Sequence, residues 1–130
     1  MSGNILIVDD DEANRKFLST LLRENGWKVE TAVDGAEGLH AAKHIKPDLI
    51  IMDLMMPHMS GFSLFRIVRE SDDLKHVPVI IISAFRGEYG LDLTEKGRIE
   101  SLTGRSPDAF LDKPLEPDSL LEIVKKLIEK

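Results

Sequence analysis

Five polar residues stand at or just past the ends of apolar runs in this 130-residue chain. Asp9 and Asp10 follow Ile5-Leu6-Ile7-Val8, and Asp53 follows Leu49-Ile50-Ile51-Met52. Ser83 follows the run from Val77 to Ile82, and Lys113 comes soon after Phe110-Leu111. Three carboxylates in one place repel strongly, so either one takes up a proton or a cation sits among them. Oxygen ligands with open positions suit Mg²⁺, which keeps several waters and is often completed by a substrate phosphate. Lys113 adds a mobile positive charge and Ser83 a hydroxyl donor. Such a set can move a phosphoryl group onto a carboxylate, and Asp53 is the candidate nucleophile. Taken singly, each residue has a plainer role. Asp9-Asp10-Asp11 could be a solvated turn and helix cap, Ser83 a strand-end residue and Lys113-Pro114 an ordinary turn. The joint reading depends on whether the fold gathers them.

The runs that end in Asp9, Asp53 and Ser83 have no polar face, which marks strands buried on both sides. Between them the period becomes helical. Phe17, Leu18, Leu21 and Leu22 share one face, with Arg15, Lys16 and Arg23 turned away, and Asn25-Gly26 stops the helix. Trp27 to Val33 alternates, with Trp27, Val29, Thr31 and Val33 on one side, and predicts a half-buried edge strand. Asp34-Gly35 turns the chain, and Ala36, Leu39, Ala42 and Ile45 form a helical stripe closed by Pro47. Phe62, Phe65 and Val68 mark another helix, Phe110-Leu111 a short last strand, and Leu120, Leu121, Val124, Leu127 and Ile128 the clearest amphipathic helix. Strands alternating with helices predict an α/β fold: a doubly wound, five-stranded parallel sheet in the order 2-1-3-4-5, with the three layers of a flavodoxin-like architecture. In a parallel sheet all C-terminal strand ends share one edge. The topology therefore brings Asp9, Asp10, Asp53, Ser83 and Lys113 to one crevice.

One domain over residues 1–130 is expected from the length. An excess of 23 acidic over 17 basic residues argues against sequence-independent binding to nucleic acid. Cysteine is absent, which excludes disulfide and thiolate chemistry. No apolar stretch approaches the roughly 20 residues that span a bilayer, and the N-terminus runs straight into a strand, so the cytoplasm is expected. His58 reads as a loop residue, Trp27 as sheet-edge packing, and Met52, Met55, Met56 and Met59 as core and rim packing.

With these residues in place, the chain resembles the receiver domain of bacterial response regulators. The resemblance rests on ILIVDD at 5–10, DLMMPHMSG at 53–61, Ser83-Ala84 and FLDKP at 110–114, and covers nearly the whole chain. It implies that Asp53 takes a phosphoryl group from a sensor histidine kinase or a phosphotransfer protein. It implies a Mg²⁺ (or Mn²⁺) site made by Asp10 directly, Asp9 through water, Asp53, and the backbone carbonyl of Met55. Ser83 and Lys113 would bind the phosphoryl oxygens, the Lys113-Pro114 bond would be cis, and Phe110 with Ser83 would form the switch. The module would control a downstream effector or output domain, with a homodimer on phosphorylation among the partners it allows. It would touch neither nucleic acid nor membrane and would not be a turnover enzyme.

Other readings are weaker. A haloacid-dehalogenase-type phosphatase would want an Asp at position 55, where Met55 stands. A flavodoxin-like cofactor binder would not place Asp9-Asp10-Asp11 in its phosphate loop. A receiver-like interaction domain that works without phosphorylation is the alternative. Two departures from the family pattern stand out. The stretch from Ser83 to Lys113 is long, and Arg86 to Thr103 carries three glycines and a thin apolar stripe, so a mobile or rebuilt helix is expected there. Met55 and Phe85 are apolar where polar side chains could orient an attacking water, which predicts a long-lived phosphoaspartate.

Overall fold

The computed structural model describes residues 3–54, 61–83, 107–112 and 115–129. In chain order the elements are β1 (Asn4–Val8), α1 (Glu12–Glu24), β2 (Lys28–Ala32), α2 (Gly35–Ile45), β3 (Leu49–Asp53), α3 (Gly61–Glu70), β4 (Val79–Ser83), β5 (Ala109–Asp112) and α4 (Pro117–Ile128). The strands form one sheet in the order β2-β1-β3-β4-β5, and every neighbouring pair is parallel. This is the expected doubly wound arrangement.

The apolar strands split their side chains between two cores, as a period of two requires. Leu6, Val8, Ile50, Met52 and Ile81 pack on one face with Phe65 and Val68 of α3. Ile5, Ile7, Ile51, Ile80 and Ile82 pack on the other with Leu18 and Leu22 of α1 and with Leu120 and Val124 of α4. Trp27 is buried in the second core, as its edge-packing reading required. α2 lies close on β1: a Cβ at Gly38 would come within 2.8 Å of the Val8 side chain.

Several expectations are corrected. Phe17 is 40% exposed, and the buried positions of α1 are Leu18, Ser19 and Leu22. Arg15 does not face away: it is half-buried and reaches the carbonyl of Asp9, while Arg23 is exposed as expected although its guanidinium reaches back to the carbonyl of Val29. Long polar side chains can fold their stems back onto the chain while periodicity assigns them to solvent. In β2 the alternation fails after Val29. Thr31 is exposed, Ala32 is buried and Val33 is 42% exposed, because an edge strand has a neighbour on one side only. In α2 the buried positions are Gly35, Gly38 and Ala42, while Ala36 is exposed and Leu39 and Ile45 are half-buried.

β4 begins at Val79 rather than at Val77, because Pro78 has no N–H to donate to a ladder. Asp108 then fixes the register of β5. Its carboxylate accepts from Val79 N at 2.8 Å and pairs with Arg69 at 2.7 Å, and its own N–H donates to Val79 O at 2.9 Å. Asp108→Ala is expected to cost about 1 kcal/mol in denaturant melts, the worth of a partly exposed charge-assisted hydrogen bond.

The helix caps follow the sequence. Asp11 caps α1 by accepting from Ala13 N, and Asp34 caps α2 by accepting from Glu37 N. Asn25 ends α1, with Gly26 at φ 98°. Glu116 caps α4, accepting from Asp118 N and Ser119 N, with Pro117 at the start of the helix. These N–H donors, Asp118 first, hold its carboxyl below the ordinary value. A carboxyl depressed in the folded state contributes stability above its unfolded pKa, and that contribution disappears as pH falls through the folded value. The stability difference between the wild type and Glu116→Gln is therefore expected to narrow as pH falls below about 5, the upper edge of the carboxylate range. Urea melts across the acid limb read this directly.

Candidate functional site

The C-terminal edge of the sheet gathers the acidic residues. β1 and β3 pair with Val8 opposite Met52, so the residues that follow, Asp9 and Asp53, emerge side by side. Asp53 is the last residue of β3, and Leu54 N binds Ile82 O at 2.9 Å, which ties the strand end to β4. Asp9 is 1% exposed and Asp53 5% exposed, whereas Asp10 faces solvent. One carboxylate oxygen from each of Asp9, Asp10 and Asp53 lies within 4.8 Å of the other two. Two carboxylates enter this cluster from the floor of the crevice and one from its rim.

Asp9 is held from several directions. Its N–H donates to Ala32 O at 3.1 Å, and its Oδ1 accepts from Asp11 N at 2.9 Å. Its Oδ2 accepts from the side-chain amide of Asn14, and its carbonyl accepts from the Arg15 guanidinium at 2.8 Å. The first turn of α1 thus reaches back to fix the carboxylate that ends β1. The sequence reading missed Asn14 and Arg15. The available signal was their place in the first turn of a helix that begins at Glu12, which aims their side chains back toward the strand end.

The donor set fits a small hard cation. A bond length of 2.0–2.1 Å puts opposite ligand atoms of Mg²⁺ about 4.2 Å apart. Neighbouring ligands of such an ion stand about 2.9 Å apart, so the three oxygens, now within 4.8 Å of one another, close on it by inward movement or by one carboxylate binding through a water. Ser83 ends β4, and its backbone pairs with Asp112 one strand over from Asp53. Phe110 is half-buried on β5, packed against the core that contains Met52 and Ile81. Lys113, Pro114, Met55, His58, Phe85 and the stretch from Arg86 to Thr103 lie outside the described residues. A cavity of about 370 Å³ at the opposite, N-terminal edge of the strands is lined by Asp48, Arg69, Lys75 and Asp108 among others, and among the described residues Asp9, Asp10, Asp53 and Phe110 do not line it. No helix among the described residues is long and apolar enough to cross a membrane.

The chain is similar to known proteins in sequence and fold. The family model described as the response regulator receiver domain matches residues 5–125. The response regulator PleD of Caulobacter vibrioides is 37% identical over 127 residues, which is 98% of this chain and 26% of PleD. The chain thus spans about a quarter of that relative. The polar-differentiation response regulator DivK of Brucella anthropi is 30% identical over 128 residues, 98% of each chain. A crystal structure of a putative response regulator from Chloroflexus aurantiacus superposes with a TM-score of 0.86 at 30% identity, covering 100% of both chains. With the 2-1-3-4-5 sheet and the acidic cluster at its C-terminal edge, the match over residues 5–125 makes this chain a member of the response regulator receiver domain family.

Proposed function

We propose that this receiver domain is a phosphoacceptor in which Asp53 carries the phosphoryl group. The convergence of Asp9, Asp10 and Asp53 within 4.8 Å carries the proposal, since two of these carboxylates are buried where uncompensated charge is costly. Asp10, Asp53 and the carbonyl of Met55 would hold Mg²⁺ directly and Asp9 through water. The ion, when bound, neutralises charge on the phosphoryl oxygens. A carboxylate oxygen of Asp53 attacks phosphorus of a phosphohistidine on a sensor kinase or phosphotransfer protein. The P–N bond breaks as the P–O bond forms, and its electron pair returns to the imidazole nitrogen. Burial keeps the Asp53 oxygen poorly hydrated and aimed out of the strand end. Ser83 and Lys113 bind the phosphoryl oxygens, with the Lys113-Pro114 bond cis. Movement of Ser83 toward those oxygens lets Phe110 shift between half-buried and buried positions, and this two-state change is what a downstream effector, output domain or second copy reads.

The experiment is intact mass after incubation with acetyl phosphate and Mg²⁺, repeated with a chelator. A single phosphoryl adduct that disappears with the chelator is expected. No adduct under either condition contradicts the proposal and favours an interaction domain that works without phosphorylation.

A further inference from the structure

His40 and His44 stand about one turn apart on α2, at the i and i+4 spacing that puts two side chains on the same face of a helix. Both are exposed, their ring centroids lie 6.5 Å apart, and their planes are within 5° of parallel. Among the described residues neither imidazole takes part in a hydrogen bond or an ion pair, so their nitrogen lone pairs are open to a ligand. A neutral imidazole offers one such lone pair, the donor that divalent transition ions take most often. Zn–N bonds of 2.0–2.1 Å at the tetrahedral angle bring two coordinating rings to a centroid separation of about 5 Å. The observed pair closes to that by rotation of two exposed side chains, with the backbone unmoved. The helix beneath them is fixed: Asp34 caps it, Ala42 is buried, and Gly38 lies against the Val8 side chain. Glu37, three residues before His40 on the same stripe, adds a negative charge that favours a cation, and Lys43 beside the pair offsets part of it.

We propose that His40 and His44 form a second cation site, a bidentate chelate for a divalent transition ion of the Ni²⁺, Zn²⁺ and Cu²⁺ class, with water in the remaining positions. The site differs in kind from the acidic cluster, to which neither histidine belongs. Carboxylates suit Mg²⁺ and imidazoles suit Zn²⁺, Cu²⁺ and Ni²⁺, so the two sites sort ions by ligand chemistry. The pair is present whether or not Asp53 accepts a phosphoryl group. Once one ring holds the ion, the second meets it at the effective concentration that the helix sets, not from free solution. By the general order for divalent ions, Cu²⁺ binds tightest, Ni²⁺ and Zn²⁺ follow, and Mn²⁺ binds weakly.

The test is calorimetric titration of the whole chain with NiCl₂ in a background of excess MgCl₂, which competes for oxygen ligands. The wild type is compared with His40→Ala, His44→Ala and, as a control elsewhere in the chain, His76→Gln. One Ni²⁺ per chain is expected in the wild type. Each Ala substitution should weaken binding by about tenfold or more, because it turns a chelate into a single ligand. His76→Gln should bind as the wild type does. Both pair positions are exposed, so the Ala variants should fold; if either does not, His40→Gln and His44→Gln decide by the same ratio. A wild type that takes up no Ni²⁺, or either variant of the pair within twofold of wild type, overturns the proposal. An equal loss in His76→Gln would place the ion elsewhere and overturn it too.

Discussion

Asp53→Asn is expected to remain folded and to lose phosphoryl uptake to below detection by intact mass, under conditions that modify the wild type fully. An amide oxygen is a far weaker nucleophile than a carboxylate oxygen, and the substitution alters little else, since Asn fills the same volume at the end of β3. Asp9 and Asp10 remain beside the substituted residue, and neither is expected to replace it. Asp9 is fixed by Asp11 N and Asn14, and Asp10 stands in solvent, where hydration blunts its reactivity. An adduct of wild-type yield on the Asn variant would mean that the nucleophile lies elsewhere.

The same substitution should raise the stability of the metal-free protein by about 2 kcal/mol. Unit charges 4.8 Å apart at an effective dielectric constant of 20 repel by on the order of 3 kcal/mol per pair, and Asp53 faces two such neighbours. Solvent screens exposed Asp10, and other interactions of Asp53 offset part of the rest, so the net figure is smaller. Excess Mg²⁺ should then reverse the order. A ligand at 100 times its Kd stabilises the native state by about 2.7 kcal/mol, and on the proposed site the wild type would bind it with one more carboxylate than the variant. Urea melts of both proteins with EDTA and with MgCl₂ make the comparison. If Asp53→Asn is the less stable protein in EDTA, the three carboxylates do not repel as their spacing implies.

Much of this was legible in the sequence because the deciding features are one-dimensional. Runs such as Ile5 to Val8 and Leu49 to Met52 must be buried on both faces, and burial on both faces requires a parallel sheet covered by helices. Once the sheet is parallel, the residues that follow its strands share an edge, so the meeting of Asp9, Asp10 and Asp53 follows from connectivity. Side-chain reach is not encoded in that way. Arg15 and Arg23 read as solvent-facing by period, yet each bends back to a carbonyl, and Asn14 was marked only by its place in the first turn of α1. Phe17 read as core but stands exposed, since Leu18 and Leu22 already fill the space beneath α1. The edge strand β2 lost its alternation because only β1 supports it. The receiver match over residues 5–125 agrees with the motif reading, while the side chains of Ser83 and Lys113 are joined to the site through that reading and not through described contacts.

The claim that Asp53 carries the phosphoryl group is tested most directly by locating it. After acetyl phosphate treatment, borohydride reduction converts an aspartyl phosphate to homoserine, and peptide mass mapping then reports which residue changed. Homoserine at position 53, absent from a sample treated without Mg²⁺, is the predicted result. Homoserine at position 9 or 10 with position 53 intact would contradict the account.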